Sequence, residues 1–175
     1  MIMKFNIIDF EPEYATDFKR LNIAWLEKYF HVEAIDQKIL SNPQDYIIDP
    51  GGKIYLAIGI NKDEESEVVG TVALINDQKG NLEMSKMSVA ERYQGLGIGR
   101  QLAIHAIRKF QSTSAEILYL ESNSRLEPAI TLYESLGFQH TRKPEPDSSY
   151  QRANVYMEFN PKSPLALAIK MNDGG

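Results

Sequence analysis

Gly95, Gly97 and Gly99 recur at alternate positions in the stretch Met87-Ser88-Val89-Ala90-Glu91-Arg92-Tyr93-Gln94-Gly95-Leu96-Gly97-Ile98-Gly99-Arg100-Gln101-Leu102. Glycine lets the backbone take up φ > 0 and removes the side chains that would hold a ligand away from the amides. The stretch reads as a strand that stops, a tight loop and a helix that starts. The first N–H groups of that helix lack intrahelical partners, and its dipole turns a positive end back into the loop. The chemistry such a loop supports is the binding of a phosphate or pyrophosphate on backbone amides. A G-x-G-x-x-G dinucleotide fingerprint would need a glycine at 100 or 102, where Arg100 and Leu102 stand, and no Gly-Lys-Ser or Gly-Lys-Thr follows to make a P-loop.

The composition of the 175 residues narrows the remaining chemistry. There is no cysteine, which excludes disulfides, thiolate metal sites and cysteine nucleophiles. His31, His105 and His140 are far apart in sequence and make no metal-type pair, so no metal is expected. The net charge of −5 argues against a nucleic-acid partner. The opening residues alternate like a strand and lack the apolar run of a signal peptide or membrane span, so a cytoplasmic location with no membrane partner is expected. Length and composition suit one domain, 1–160, followed by a tail, 161–175, whose apolar run from Leu165 to Ile169 is too short to span a bilayer.

The elements that must position the glycine loop follow in order. After the first strand, Pro12 opens a helix on which Tyr14, Phe18, Leu21, Trp25 and Tyr29 recur at helical spacing, and a short helix over 35–40 must end before Pro43. Strands are predicted over 53–59, 68–75 and 82–89, joined by Asn61–Glu67 and Asn76–Asn81 turns into an antiparallel meander. In the helix after the loop, Ala103, Ala106, Ile107 and Phe110 share one face and Gln101, His105 and Arg108 the other, which makes His105 solvent-facing. The apolar strand 115–121 then completes a right-handed parallel βαβ unit. Pro128 opens a helix with Ala129, Leu132, Tyr133 and Leu136 inside and Gly137 at its end. Strands are predicted at 138–142 and 150–159, separated by a loop over 143–149; in the second, Tyr150, Arg152, Asn154, Tyr156 and Glu158 lie on one face.

Gln94-x-x-Gly97-x-Gly99 resembles the Q/R-x-x-G-x-G/A loop of the GNAT superfamily of N-acetyltransferases. Asn123-x5-Ala129-x2-Leu132-Tyr133-Glu134-x-Leu136-Gly137-Phe138 is similar to that family's N…A…LYE-x-LGF signature. The resemblance implies an α/β fold of the α+β type: a mixed, mostly antiparallel sheet flanked by helices, with two parallel strands splayed after Val89 at an acetyl-CoA site. It implies transfer of acetyl from acetyl-CoA to a primary amine by direct attack through a tetrahedral intermediate. The backbone of Met87 and Val89, with Ser88 between them, would pair with the pantetheine arm like an added strand. The amides of Gly95, Leu96, Gly97, Ile98, Gly99 and Arg100 would hold the pyrophosphate, with Arg92 and Arg100 offsetting its charge. Asn123 would bond the cofactor from across the cleft.

By the same resemblance the Met87 N–H would serve the oxyanion and Tyr133 would protonate the departing thiolate. Glu83, eleven positions before Gln94, would accept the amine's proton directly or through a water. Strict alternation puts Glu83 on the face of Met87 and Val89, and members of the family often carry a bulge in this strand. Trp25, Tyr29 and Phe30 fall where the family covers its acceptor. Tyr150, Arg152 and Asn154 would form a polar cluster in which Arg152 pairs with a carboxylate, which points to a small amino-acid-like amine. A protein lysine or N-terminus as acceptor, and a non-catalytic acyl-CoA sensor, are the alternatives; retention of Tyr133 and Glu83 weighs against the sensor. A Rossmann domain conflicts with the meander that precedes the loop. Both a monomer and a homodimer fit.

Overall fold

The computed structural model describes residues 4–143 and 148–171. The start of the first expected strand (1–3), the middle of the 143–149 loop (144–147) and the end of the expected tail (172–175) lie outside the described residues. The elements are β1 (Lys4–Asp9), α1 (Ala15–Tyr29), α2 (Ala34–Ser41), β2 (Lys53–Ile60), β3 (Ser66–Asn76), β4 (Leu82–Val89), α3 (Ile98–Gln111), β5 (Leu118–Ser122), α4 (Glu127–Ser135), β6 (Phe138–His140), β7 (Val155–Phe159) and α5 (Pro164–Met171). Among the described residues the strands form one sheet in the order β1-β2-β3-β4-β5-β7-β6, with β4/β5 the parallel pair and the other neighbours antiparallel. This is the mixed, mostly antiparallel α/β architecture expected from the meander and the crossover.

Each face of the sheet buries its own apolar cluster. The stripe of α3 (Leu102, Ala103, Ala106, Ile107) packs with Leu118, Leu120, Leu136 and Phe138 on one side, while Phe18, Leu21 and Leu26 of α1 pack with Leu40, Ile54 and Leu56 on the other. Full burial of each such leucine or phenylalanine contributes about 1.5–3 kcal/mol. Gly70 on β3 lets α3 come close, since a Cβ there would stand 2.9 Å from Leu102. Among the described residues no helix is long and apolar enough to cross a membrane.

Two irregularities position the site. In β4 the register passes from Thr71↔Ser88 to Ala73↔Ser85, so an extra residue is inserted at Lys86, whose φ is +52°. The parallel pairing with β5 is confined to Leu82↔Leu118 and Glu83↔Tyr119. The strands therefore part at Glu83, earlier than the expected point after Val89, because the bulge bends β4 away from its neighbour.

Other expectations are corrected by tertiary contacts. The final strand starts at Val155, not 150, because Tyr150–Asn154 loop back toward α2 and the end of β5. β5 starts at Leu118 and β6 ends at His140, each shorter than expected. Residues 164–171, read as part of a tail, form α5, which buries Ala166 and Ile169 in the α3 cluster. His105 is half-buried, its ring edge-on to Tyr55 of β2 at 4.4 Å, and burial lowers its pKa.

Candidate active site

A cleft of about 450 Å³ opens where β4 and β5 part, lined by β4 from Glu83 to Val89, the glycine loop, α4, and residues of α1 and of the 150–153 loop. At one end Gly95 and Gly97 have φ of +79° and +81°, and a Cβ added to either would meet nothing within 4 Å. Gly97 caps α3 without a side-chain hydrogen bond, and the first turn of α3 carries no acidic residue. The helix amides and dipole therefore face the cleft free of a competing carboxylate, which suits a bound anion. Gln94 donates from Nε2 to the Val89 carbonyl at 3.2 Å, pinning the loop to the end of the strand.

Of the two arginines expected here, Arg100 lines the cleft and donates to the Ser135 hydroxyl of α4 at 3.0 Å. Arg92 instead pairs with Glu67, which also accepts from the Tyr93 hydroxyl at 2.9 Å. Replacing Gly97 by valine is expected to weaken binding of a pyrophosphate-bearing ligand at this loop at least about tenfold by calorimetry. It would also cost about 1–2 kcal/mol of stability, since a β-branched residue is strained at this φ and would cover the amides.

Met87 and Val89 line the cleft and pack toward the α3 side, together with Leu82 and Met84. The bulge reverses the alternation, so Glu83 lies on the opposite face, contrary to the strict count. It still lines the cleft, because the strands have parted beside it. Among the described residues Glu83 has no hydrogen-bond partner, and burial followed by the charge of Glu121 pushes its carboxyl up to about 7. Glu121 is held by Lys143 at 2.5 Å and by the Ser148 hydroxyl at 2.8 Å. On the far wall, Tyr133 stacks edge-on against Phe138 with ring centroids 6.0 Å apart, and burial pushes its hydroxyl up to about 12. It is thus a protonated donor at neutral pH.

Asn123 lines the cleft, but its Nδ2 donates to the Arg152 carbonyl at 2.7 Å and its Oδ1 accepts from the Arg125 amide at 2.9 Å. It ties the 150–154 loop to β5. Ser88 donates to the Leu21 carbonyl at 2.9 Å. Trp25 and Phe30 line the cleft, their rings 5.8 Å apart, whereas Tyr29 is exposed and absent from the lining. Asn154 accepts from the Ser124 amide at 2.9 Å and is absent from the lining.

The end of the cleft at Tyr150 and Arg152 holds a network that sequence reasoning missed in part. Arg152 donates from Nη1 to Asp36 and to Glu33, each at 2.7 Å, and from Nη2 to Asp36 at 2.9 Å. Lys86 donates to Asp36 at 3.1 Å and to the Tyr150 hydroxyl at 3.2 Å. Both cations lie over the Tyr150 ring, 4.6 and 4.7 Å from its centroid. Burial alone would raise the Asp36 carboxyl, but the Arg152 hydrogen bonds and the Lys86 charge outweigh it and hold the group below its ordinary value. The Arg152 fork is thus filled from within the chain. The local sign of this network was the capping box at the start of α2, in which Asp36 accepts from the Glu33 amide. Among the described residues no group of three His, Cys, Asp or Glu could hold a metal.

Residues 10–138 match the acetyltransferase (GNAT) family. An uncharacterized N-acetyltransferase of Escherichia coli, YjgM, is 34% identical over 79 residues, 43% of this chain and 47% of that protein. The N-acetylaspartate synthetase of Rattus norvegicus is 28% identical over 123 residues, 70% of this chain and 38% of that protein. The chain spans less than half the length of these two relatives. In fold it is similar to the crystal structure of an acetyltransferase of the GNAT family from Staphylococcus aureus, with a TM-score of 0.78 at 23% identity, covering 91% of this chain and 100% of that one.

Proposed function

The chain belongs to the acetyltransferase (GNAT) family, and on that premise we propose that it transfers the acetyl group of acetyl-CoA to the primary amine of a small, amino-acid-like metabolite. The observation that carries this reading is the meeting in one cleft of an open glycine loop at a helix N-terminus, a carboxyl raised to about 7 on one wall and a protonated tyrosine on the other. Acetyl-CoA, when bound, supplies an acetyl group activated as a thioester. The amides of Gly95 to Arg100 fit its pyrophosphate, and the edge of β4 freed by β5 fits its pantetheine arm.

The chain's own groups then divide the work. Glu83 takes the proton of the incoming ammonium, directly or through a water, and is ionised in useful fraction because its pKa lies near neutrality. The Met87 N–H meets the carbonyl oxygen as charge develops there. The Tyr133 hydroxyl gives its proton to the departing sulfur. An amino-acid-like acceptor is supported by the name of the rat relative; the Arg152 fork, taken up by Asp36 and Glu33, is not free to pair with its carboxylate. Replacing Tyr133 by phenylalanine is expected to lower kcat by about 10²-fold while leaving the KM for acetyl-CoA within about twofold, read as thiol release. An unchanged kcat would remove Tyr133 from the chemistry.

A further inference from the structure

Lys86 holds the left-handed φ of +52°, a region that a long side chain enters only when its surroundings enforce it. Its side chain is fixed by Asp36. Its carbonyl is fixed separately: the Thr71 hydroxyl of β3 donates to the Lys86 oxygen at 2.8 Å. Asn22 of α1 donates to the same hydroxyl at 3.0 Å and to the Phe18 carbonyl at 2.9 Å. Thr71 and Asn22 are both buried. Because Asn22 fills an acceptor position on the hydroxyl, the single hydroxyl proton is directed at the Lys86 oxygen.

The direction of that carbonyl decides the direction of the next N–H. In a trans peptide the C=O and N–H point to opposite sides. Tethering the Lys86 oxygen toward β3 therefore turns the Met87 N–H toward the side that β5 has left, where the cleft lies. We propose that Thr71, backed by Asn22, is the positioning residue that aims the Met87 N–H at the thioester carbonyl. This rests on the reading above, in which that N–H is the oxyanion donor. Without the tether the peptide plane is free to rotate about a strained bulge, and a donor displaced by about 1 Å loses on the order of 10² in rate.

The test uses the full chain labelled with ¹⁵N-methionine, as wild type, Thr71→Val, Thr71→Ser and the double variant Asn22→Leu/Thr71→Val. The double variant removes both buried polar partners together and so guards against a single variant that fails to fold. Two quantities are read: the difference in the Met87 amide proton shift between acetyl-CoA and CoA, which isolates the carbonyl, and kcat against KM. Wild type and Thr71→Ser are expected to show an acetyl-specific downfield shift. Thr71→Val and the double variant are expected to lose it, with kcat about 10²-fold lower and the acetyl-CoA KM within about twofold.

Persistence of the shift in either valine variant, an equal loss of kcat in Thr71→Ser, or no acetyl-specific shift in wild type would each overturn the positioning role. If the shift behaves as expected but no amine supports turnover, the positioning role stands and the acetyl-transfer reading fails.

Discussion

Replacing Asp36 by alanine is expected to destabilise the protein by about 3–5 kcal/mol, measured by chemical denaturation. The carboxylate is fully buried and joins Lys86 of β4 to Arg152 of the loop before β7. Its removal leaves two cations facing one another over the Tyr150 ring, with only Glu33 to answer Arg152. Because Asp36 is held below its ordinary 3.8, its contribution is present above that pH and is lost only as the pH falls through the lower, folded value. On the proposed reading the same change should raise the KM of the amine acceptor, since Tyr150 and Arg152 line the cleft where that reading seats the amine. A loss below about 1 kcal/mol would mean that the network is not a cornerstone of the fold.

Replacing Glu83 by glutamine is expected to lower kcat by about 10²-fold or more and to abolish the limb of kcat/KM that rises through about pH 7 in the wild type. The variant should also be more stable in neutral solution. In the unfolded chain this carboxyl ionises at 4.5, in the folded chain at about 7. Between these values the unfolded state binds fewer protons, so the wild type loses stability as pH rises from 4.5 to 7. The loss reaches about 3 kcal/mol, is constant above that range and is absent below it. Denaturation of both proteins at pH 8 and at pH 4 should therefore show a gap at the higher value that closes at the lower. A gap of equal size at both would show that packing, not ionisation, separates them.

The parts legible in the sequence are those written in short, local patterns. The strand, glycine loop and α3 unit and the Tyr133 helix each follow from periodicity and a few fixed residues, and they line one cleft. The facing of Glu83 was not legible. It depends on one inserted residue at Lys86, held by a threonine on another strand and an asparagine on α1, and strand alternation carries no trace of such a tether. The network at the Tyr150 and Arg152 end of the cleft was hidden for a related reason. Asp36 and Arg152 are 116 positions apart, and their ion pair pulls the chain before Val155 into a loop where alternation suggests a strand. α5 was missed because its apolar run is short and only Ala166 and Ile169 of it are buried, too little for a helical stripe to be read from spacing alone.

Acetyl transfer to a small amine is tested by following thiol release from acetyl-CoA against a panel of amino acids, polyamines, aminoglycosides and lysine peptides. The protein itself has no cysteine and adds no thiol background. Release is expected to depend on a small amino-acid-like amine and to fall by about 10²-fold in Tyr133→Phe. Release only with lysine peptides would move the acceptor to protein. No release with any amine, from a chain whose melting temperature acetyl-CoA still raises, would contradict catalysis and leave a binding module.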